Sequence, residues 1–359
     1  MKYRISSCLL AAGVAVSAAQ AQSVPASMYT DNTVMVAHVN LMQLNPQAIK
    51  SSVRAMIDRP ALEAAGADVS FIPMLEQQLN QVDQMGMFMM MFTGAGANTV
   101  TMVMDMDPEE GEPQEPSVRM VMPVANEQAQ QQMMQMVAMF GAGAGLMASA
   151  HQEDNQHFIV MYQPGQGNPL EGNGNASRRG AFSEAFGPMG DTSVLRFAMI
   201  PTEGLRKQAK ENLDELEDPE QRKLVEALMR SEWFGGSLNI GNQPSINFTA
   251  KVDGESADQI IAAHTSAMDQ MGEMLRQREG QLIEAGRLKA DGVRPTDLAN
   301  HLRAITRPTR EGGMLRISLT HTELRDTTTL LIRASQENEE GFMELFQSLG
   351  DGFGMPRGF

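Results

Sequence analysis

The chain has 359 residues, 42% of them hydrophobic, with 28 basic against 44 acidic side chains and a formal charge of −16. That is enough apolar material for two ordinary domains and too little charge density for a disordered chain. An acidic protein of this kind repels nucleic acid and anionic lipid headgroups, so neither is expected as a partner.

Residues 1–21 read as a secretory signal peptide: Lys2 and Arg4, an apolar run over 5–18, and the cleavage pattern Ala19-Gln20-Ala21. The apolar run is shorter than the roughly 18 to 20 residues that span a bilayer, and no transmembrane segment is expected after cleavage. The protein is therefore expected in the periplasm or outside the cell. Removing Lys2 and Arg4 leaves 26 basic residues against 44 acidic ones, a charge of −18. The only cysteine, Cys8, lies inside the leader. A cysteine-free mature chain excludes disulfides, thiolate nucleophiles and Cys-zinc sites.

Two regions of similar plan follow, a first α+β unit over 22–163 and a second over 193–359. The first opens with a strand, TVMVAHVNL (33–41), and a helix announced by Asn45 as cap and Pro46 at the first position. Pro60 interrupts that helix. MGMFMMMF (85–92) is expected as a strand, turned by TGAGAN into a second strand, TVTMVMDMD. Next come an acidic loop (107–116), a strand SVRMVMPVA (117–125) and a helix capped by Asn126 with Met133, Met136, Val137 and Phe140 on one face. HFIVMYQ (157–163) closes the unit.

Residues 164–192, rich in Gly, Pro and Asn, are expected as a linker, with Arg178-Arg179 as an exposed proteolysis site. The second unit repeats the plan: SVLRFAMIP (193–201), a helix from Thr202 broken at Pro219, the hairpin WFGGSLNIG and SINFTAKV, a helix opened by Ser256 and Gln259, and MLRISLT (314–320). Thr320 and Glu323 then form the capping box of a C-terminal helix. Strand, helix, two strands, helix, strand is the ferredoxin-like order, so the fold expected is two related units of mainly antiparallel sheet with helices on one face. The opening stretch from Asp31 to Leu41, DNTVMVAHVNL, resembles the first strand of a loose class of exported bacterial proteins with duplicated α+β halves, and the resemblance brings no catalytic residue with it.

The chain carries no zinc helix, phosphate loop, nucleophile elbow or dinucleotide fingerprint, so no catalytic residue and no cofactor are assigned. The glycines of 94–96 and 141–145 are expected to turn the chain and end a helix, and HQEDNQH (151–157) to form a solvated turn. An EF-hand reading from Asp105 fails, because Glu110 and Pro116 stand where Gly and Glu are required.

Methionine is the unusual feature. Residues 22–161 hold 21 Met and 6 Leu, whereas 162–359 hold 9 Met and 20 Leu. Methionine thus replaces leucine in one half, an exchange that costs a core less than about 1.5 kcal/mol. Two other uses are open. Met85, Met87, Met89 and Met91 on one side of a strand would suit Cu(I), and an exposed methionine surface would suit a hydrophobic ligand or an unknown protein partner. The leading expectation is an exported, non-enzymatic binding or envelope-associated protein. The alternatives are an extracellular hydrolase with an Asp/Glu site and a copper-binding protein.

Overall fold

The computed structural model describes residues 24–106, 116–141, 145–163, 174–190, 192–213, 219–289 and 292–338; the leader and the acidic residues 107–115 lie outside them. Ten strands form one antiparallel sheet in the order β4-β5-β3-β2-β1-β6-β7-β8-β10-β9. The strands are β1 (Thr33–Asn40), β2 (Thr99–Asp105), β3 (Ser117–Val124), β4 (Met147–Glu153), β5 (Gln156–Tyr162), β6 (Leu195–Met199), β7 (Trp233–Asn239), β8 (Ser245–Lys251), β9 (Thr309–Glu311) and β10 (Met314–Leu319). The protein is α+β, with helices packed on the sheet. Among the described residues no helix is long and apolar enough to cross a membrane.

The ferredoxin-like order does not form. That order needs a strand inserted between the two joined by the first crossover, and here β1 pairs directly with β2. Three helices connect them: α1 (Pro46–Met56), α2 (Arg59–Ala64) and α3 (Ile72–Gly94). This long excursion returns the chain antiparallel to the neighbouring position. From the β1·β6 seam the sheet grows outward as β2-β3-β5-β4 on one side and β7-β8-β10-β9 on the other.

The caps form as their chemistry dictates. The side chain of Asn45 accepts from the Ala48 amide at 2.8 Å, with Pro46 opening α1. Asn126 accepts from the Ala129 amide at 2.9 Å to start α4 (Glu127–Gly141). Thr202 caps α6 (Glu203–Asn212), which is followed by α7 (Pro219–Arg230). The 31-residue α8 (Gly254–Glu284) starts two residues before the expected Ser256/Gln259 box. Asp253 takes both the Ser256 amide and its hydroxyl, so Ser256 is the capped residue and not the cap. After α9 (Pro295–Ile305), Thr320 and Glu323 form the expected capping box of α10 (His321–Glu337).

Two expectations of secondary structure fail. Residues 85–92 are helical, the last turns of α3. A continuous apolar run satisfies a strand and a buried helix equally. Here Pro73 in the first turn and the unbroken run from Ile72 decide for the helix. Gly86 lets this helix close on α1, since a Cβ there would lie 2.7 Å from Cγ of Pro46. The stretch expected as a linker holds a helix, α5 (Ala176–Phe186), capped by Asn175.

Alternation along the strands separates two cores. On one face Val36, Val103, Val121, Phe158, Val160 and Ala198 pack under the N-terminal segment, with Val24, Met28 and Tyr29, and under Phe182, Ala185 and Phe186 of α5. On the other face Val39, Val100, Met122, Val124 and Ile159 pack under Met133 and Val137 of α4, with Met89 and Phe92 of α3 beside them. The helices thus occupy one face except α5, which covers the opposite one. Arg178 is no exposed cleavage site: its guanidinium, partly buried, donates to the carbonyls of Thr33 and Ile200.

Candidate functional site: an apolar floor left open

The face that carries most of the helices presents a continuous apolar floor across β6, β7, β8 and β10. Register places three rows side by side: Leu195, Leu238, Ile246, Leu319; Phe197, Gly236, Phe248, Ile317; and Met199, Phe234, Ala250, Leu315. Two-residue alternation puts all of them on one side of the sheet. Such a surface is normally sealed by helices. Of these residues only Gly236 and Leu315 are buried, and Phe248 is 44% exposed.

Helices pack on the ends of the floor, and in its middle Phe248 alone of these residues is exposed, its neighbours being partly or wholly buried. At one end Leu315 and Ala250 pack with Ala257, Ile260 and Ile261 of α8. At the other, beyond β1, the α3/α4 core begins. Helix α1 braces the β7–β8 turn and is itself braced by α10. The Ser52 hydroxyl of α1 meets the amide and carbonyl of Gly241 in the β7–β8 turn, and His321 Nε2 of α10 lies 3.0 Å from the Ala55 carbonyl of α1. Only Ala334 is buried along α10, and no residue is buried along α6.

At the centre Phe197 and Phe248 meet edge to face, ring centroids 6.4 Å apart. Gly236, on the strand between them, makes this possible. A Cβ there would lie 2.9 Å from Phe197, 3.0 Å from the Phe248 ring and 2.8 Å from the Asn247 carbonyl. The arrangement can take up apolar surface by dispersion and desolvation, and it offers no acid, base or nucleophile.

Exposed methionines add apolar surface elsewhere on the molecule. Met90 and Met91 of α3 are 66% and 46% exposed, and Met42 and Met74 are exposed as well. The copper constellation, by contrast, loses the strand it assumed. Residues 85–92 are helical, so the two-residue alternation that would gather the four methionines is absent.

Other polar candidates are held by structural partners, save His157, whose Nδ1 is buried without a hydrogen-bond partner among the described residues. Ser27, His151 and Glu153 cluster beside a small cleft lined by Pro25, Asp154, Gln156 and Arg179. They do not form a triad, which uses opposite nitrogens of the histidine. Here Ser27 and Glu153 share Nε2, and the serine hydroxyl donates straight to the carboxylate. Burial works to raise the Glu153 carboxyl, but hydrogen bonds from Ser27, His151 and the Ala26 amide outweigh it and hold it low. HQEDNQH forms a turn leading into a strand as expected, tightened to a two-residue hairpin between β4 and β5 with positive φ at Asp154 and Asn155.

Asp105, at the end of β2 and first position of the failed EF-hand reading, is paired with Arg119 and accepts from Thr30 and Thr33 at 2.8 and 2.7 Å. His264 and His301 each lie within hydrogen-bond distance of a threonine hydroxyl, Thr306 and Thr327. Among the described residues no group of three or more His, Asp or Glu side chains could hold a metal ion. Gly94 and Ala95 end α3, and residues 142–144 lie outside the described residues. Compared with protein-family profiles, curated proteins and solved structures, the chain matches none.

Proposed function

We propose that the chain is an exported binding protein, built of two halves of related plan, that holds an apolar ligand or the apolar surface of a partner on the floor formed by β6, β7, β8 and β10. One observation carries the reading: Phe248, in the middle of the helix-bearing face, is 44% exposed and packs edge-on to Phe197 over a glycine. At 44% exposure such a side chain leaves roughly 1 kcal/mol of its burial energy unrealised. A ligand recovers it. The exposed methionines of α3 support the same reading, because flexible thioether chains adapt to varied apolar shapes. The leader and the cysteine-free remainder support export.

Titrating the folded protein with a fluorescent fatty-acid analogue tests this. Saturable binding, reduced at least about tenfold by Phe248→Asp with circular dichroism unchanged, is the expected outcome. Absence of saturable binding, or binding indifferent to Phe248→Asp, rejects the floor as the site.

A further inference from the structure

The two edges of the sheet are treated differently by the sequence. The β9 edge is three residues long, all exposed, and carries Arg310 and Glu311. Short, charged edges of this kind discourage pairing with another chain. The β4 edge, Met147–Glu153, is seven residues long and ends the sheet with its outer side unpaired by any strand among the described residues. From Met147 to Gln152 it carries neither a formal charge nor a proline, and the carboxylate of Glu153 is turned to Ser27 and the Ala26 amide.

The helix beside this edge is uncharged as well. After Glu127, α4 has no charged residue, and its exposed positions are Gln128, Gln131, Gln132, Gln135, Ala138 and Met139. Met139 is 69% and Met147 48% exposed. In a chain of charge −16, an uncharged strip along an open sheet edge is where another copy can approach without repulsion. A basic partner would instead be drawn to acidic surface, which this edge lacks.

We infer that β4 is a self-pairing seam: two copies join antiparallel through their β4 edges about a two-fold axis at Ala150, continuing one sheet into the next. The register is self-complementary, as a two-fold interface must be. Ala150 lies opposite Ala150, Ser149 opposite His151, Ala148 opposite Gln152, and Met147 opposite Glu153, so no like charges meet. This inference is independent of the apolar floor, and either can fail alone.

Sedimentation velocity on the full chain over a roughly hundredfold dilution series should show a dimer that dissociates on dilution. Ala150→Glu places two carboxylates across the axis at an exposed position, so it should leave a monomer with unchanged circular dichroism. In a Cys8→Ser background, Ala150→Cys should oxidise to a disulfide-linked dimer. Gln152→Cys should not, because its copies lie farther apart than the roughly 7 Å Cα limit for a disulfide. A monomer at every concentration, a dimer that survives Ala150→Glu, or equal cross-linking at both cysteines overturns the seam.

Discussion

The carboxylate of Asp105 at the end of β2 is held by the guanidinium of Arg119 on β3, both side chains almost wholly removed from solvent. Thr30 and Thr33 donate to the same carboxylate, so the pair ties the N-terminal segment to the strand ladder. Removing one partner strands a buried charge. Asp105→Ala is therefore expected to cost about 3 to 5 kcal/mol in urea unfolding, and the double variant Asp105→Leu/Arg119→Met to recover part of that loss. A loss below about 1 kcal/mol for the single variant would mean that Arg119 finds water in place of its partner.

Two glycines should respond to alanine in opposite directions. A Cβ on Gly235 would run into the carbonyl oxygen of Phe197 on the paired strand, a backbone atom that cannot step aside. Gly235→Ala is expected to destabilise by roughly 1 to 3 kcal/mol. Gly180 sits on the exposed side of α5, and a methyl added there would meet nothing within 4 Å. Gly180→Ala should stabilise by about 0.5 to 1 kcal/mol through helix propensity. Thermal melts of the two variants side by side would decide the matter, and equal signs would contradict the packing described.

Much of this architecture is written in local sequence. Asn45-Pro46, Asn126 and Thr320 with Glu323 announce helix starts because capping is a contact within four residues. Alternating Met102, Met104 and Met120, Met122 announce strands because a half-buried sheet repeats every two. Residues 85–92 misled because a run apolar at every position has no period to read. The helix α5 was legible in principle: Phe182, Ala185 and Phe186 follow helical spacing, but glycines and prolines on either side suggested a linker. The strand order was not legible, since β1·β2 and β1·β6 pairing depends on contacts far apart in sequence. Nor was the open floor. Leu195, Phe197 and Met199 read as core residues, and how far helices close over them depends on packing between elements far apart in sequence.

Methionine oxidation gives an independent measure of which of these side chains are free. Brief treatment of the folded protein with dilute hydrogen peroxide, followed by peptide mass spectrometry, should convert Met74, Met90, Met139 and Met147 first. Met28, Met122 and Met133, which are essentially inaccessible, should stay reduced until the fold opens. If Met133 were oxidised as fast as Met139, six residues along the same helix, α4 would not pack on the sheet as described.

The pH dependence of stability should carry the signature of histidine, His38 above all. His38 is enclosed between Thr101, 2.8 Å from Nδ1, and the ring of Phe186, 4.4 Å away, with the Arg196 guanidinium over that same ring. Burial first, and then the Arg196 charge, push its pKa down to about 3. The unfolded chain takes up this proton near 6.5. Below that pH the unfolded state binds more protons than the folded one, so the contribution is complete above 6.5 and is lost progressively as the pH falls toward 3. Its limiting slope is about 1.4 kcal/mol per pH unit. The Glu153 carboxyl, held low, acts in the same direction but only at more acidic pH, where carboxylates titrate. Between about pH 6.5 and 5 the histidines therefore dominate, His264, whose pKa burial also lowers, adding to His38. Urea midpoints of the native protein should fall across that window, and those of a His38→Gln variant should fall less steeply, keeping only the share of His264. Parallel curves for the two proteins would show that His38 takes up its proton in the folded state as readily as in the unfolded one.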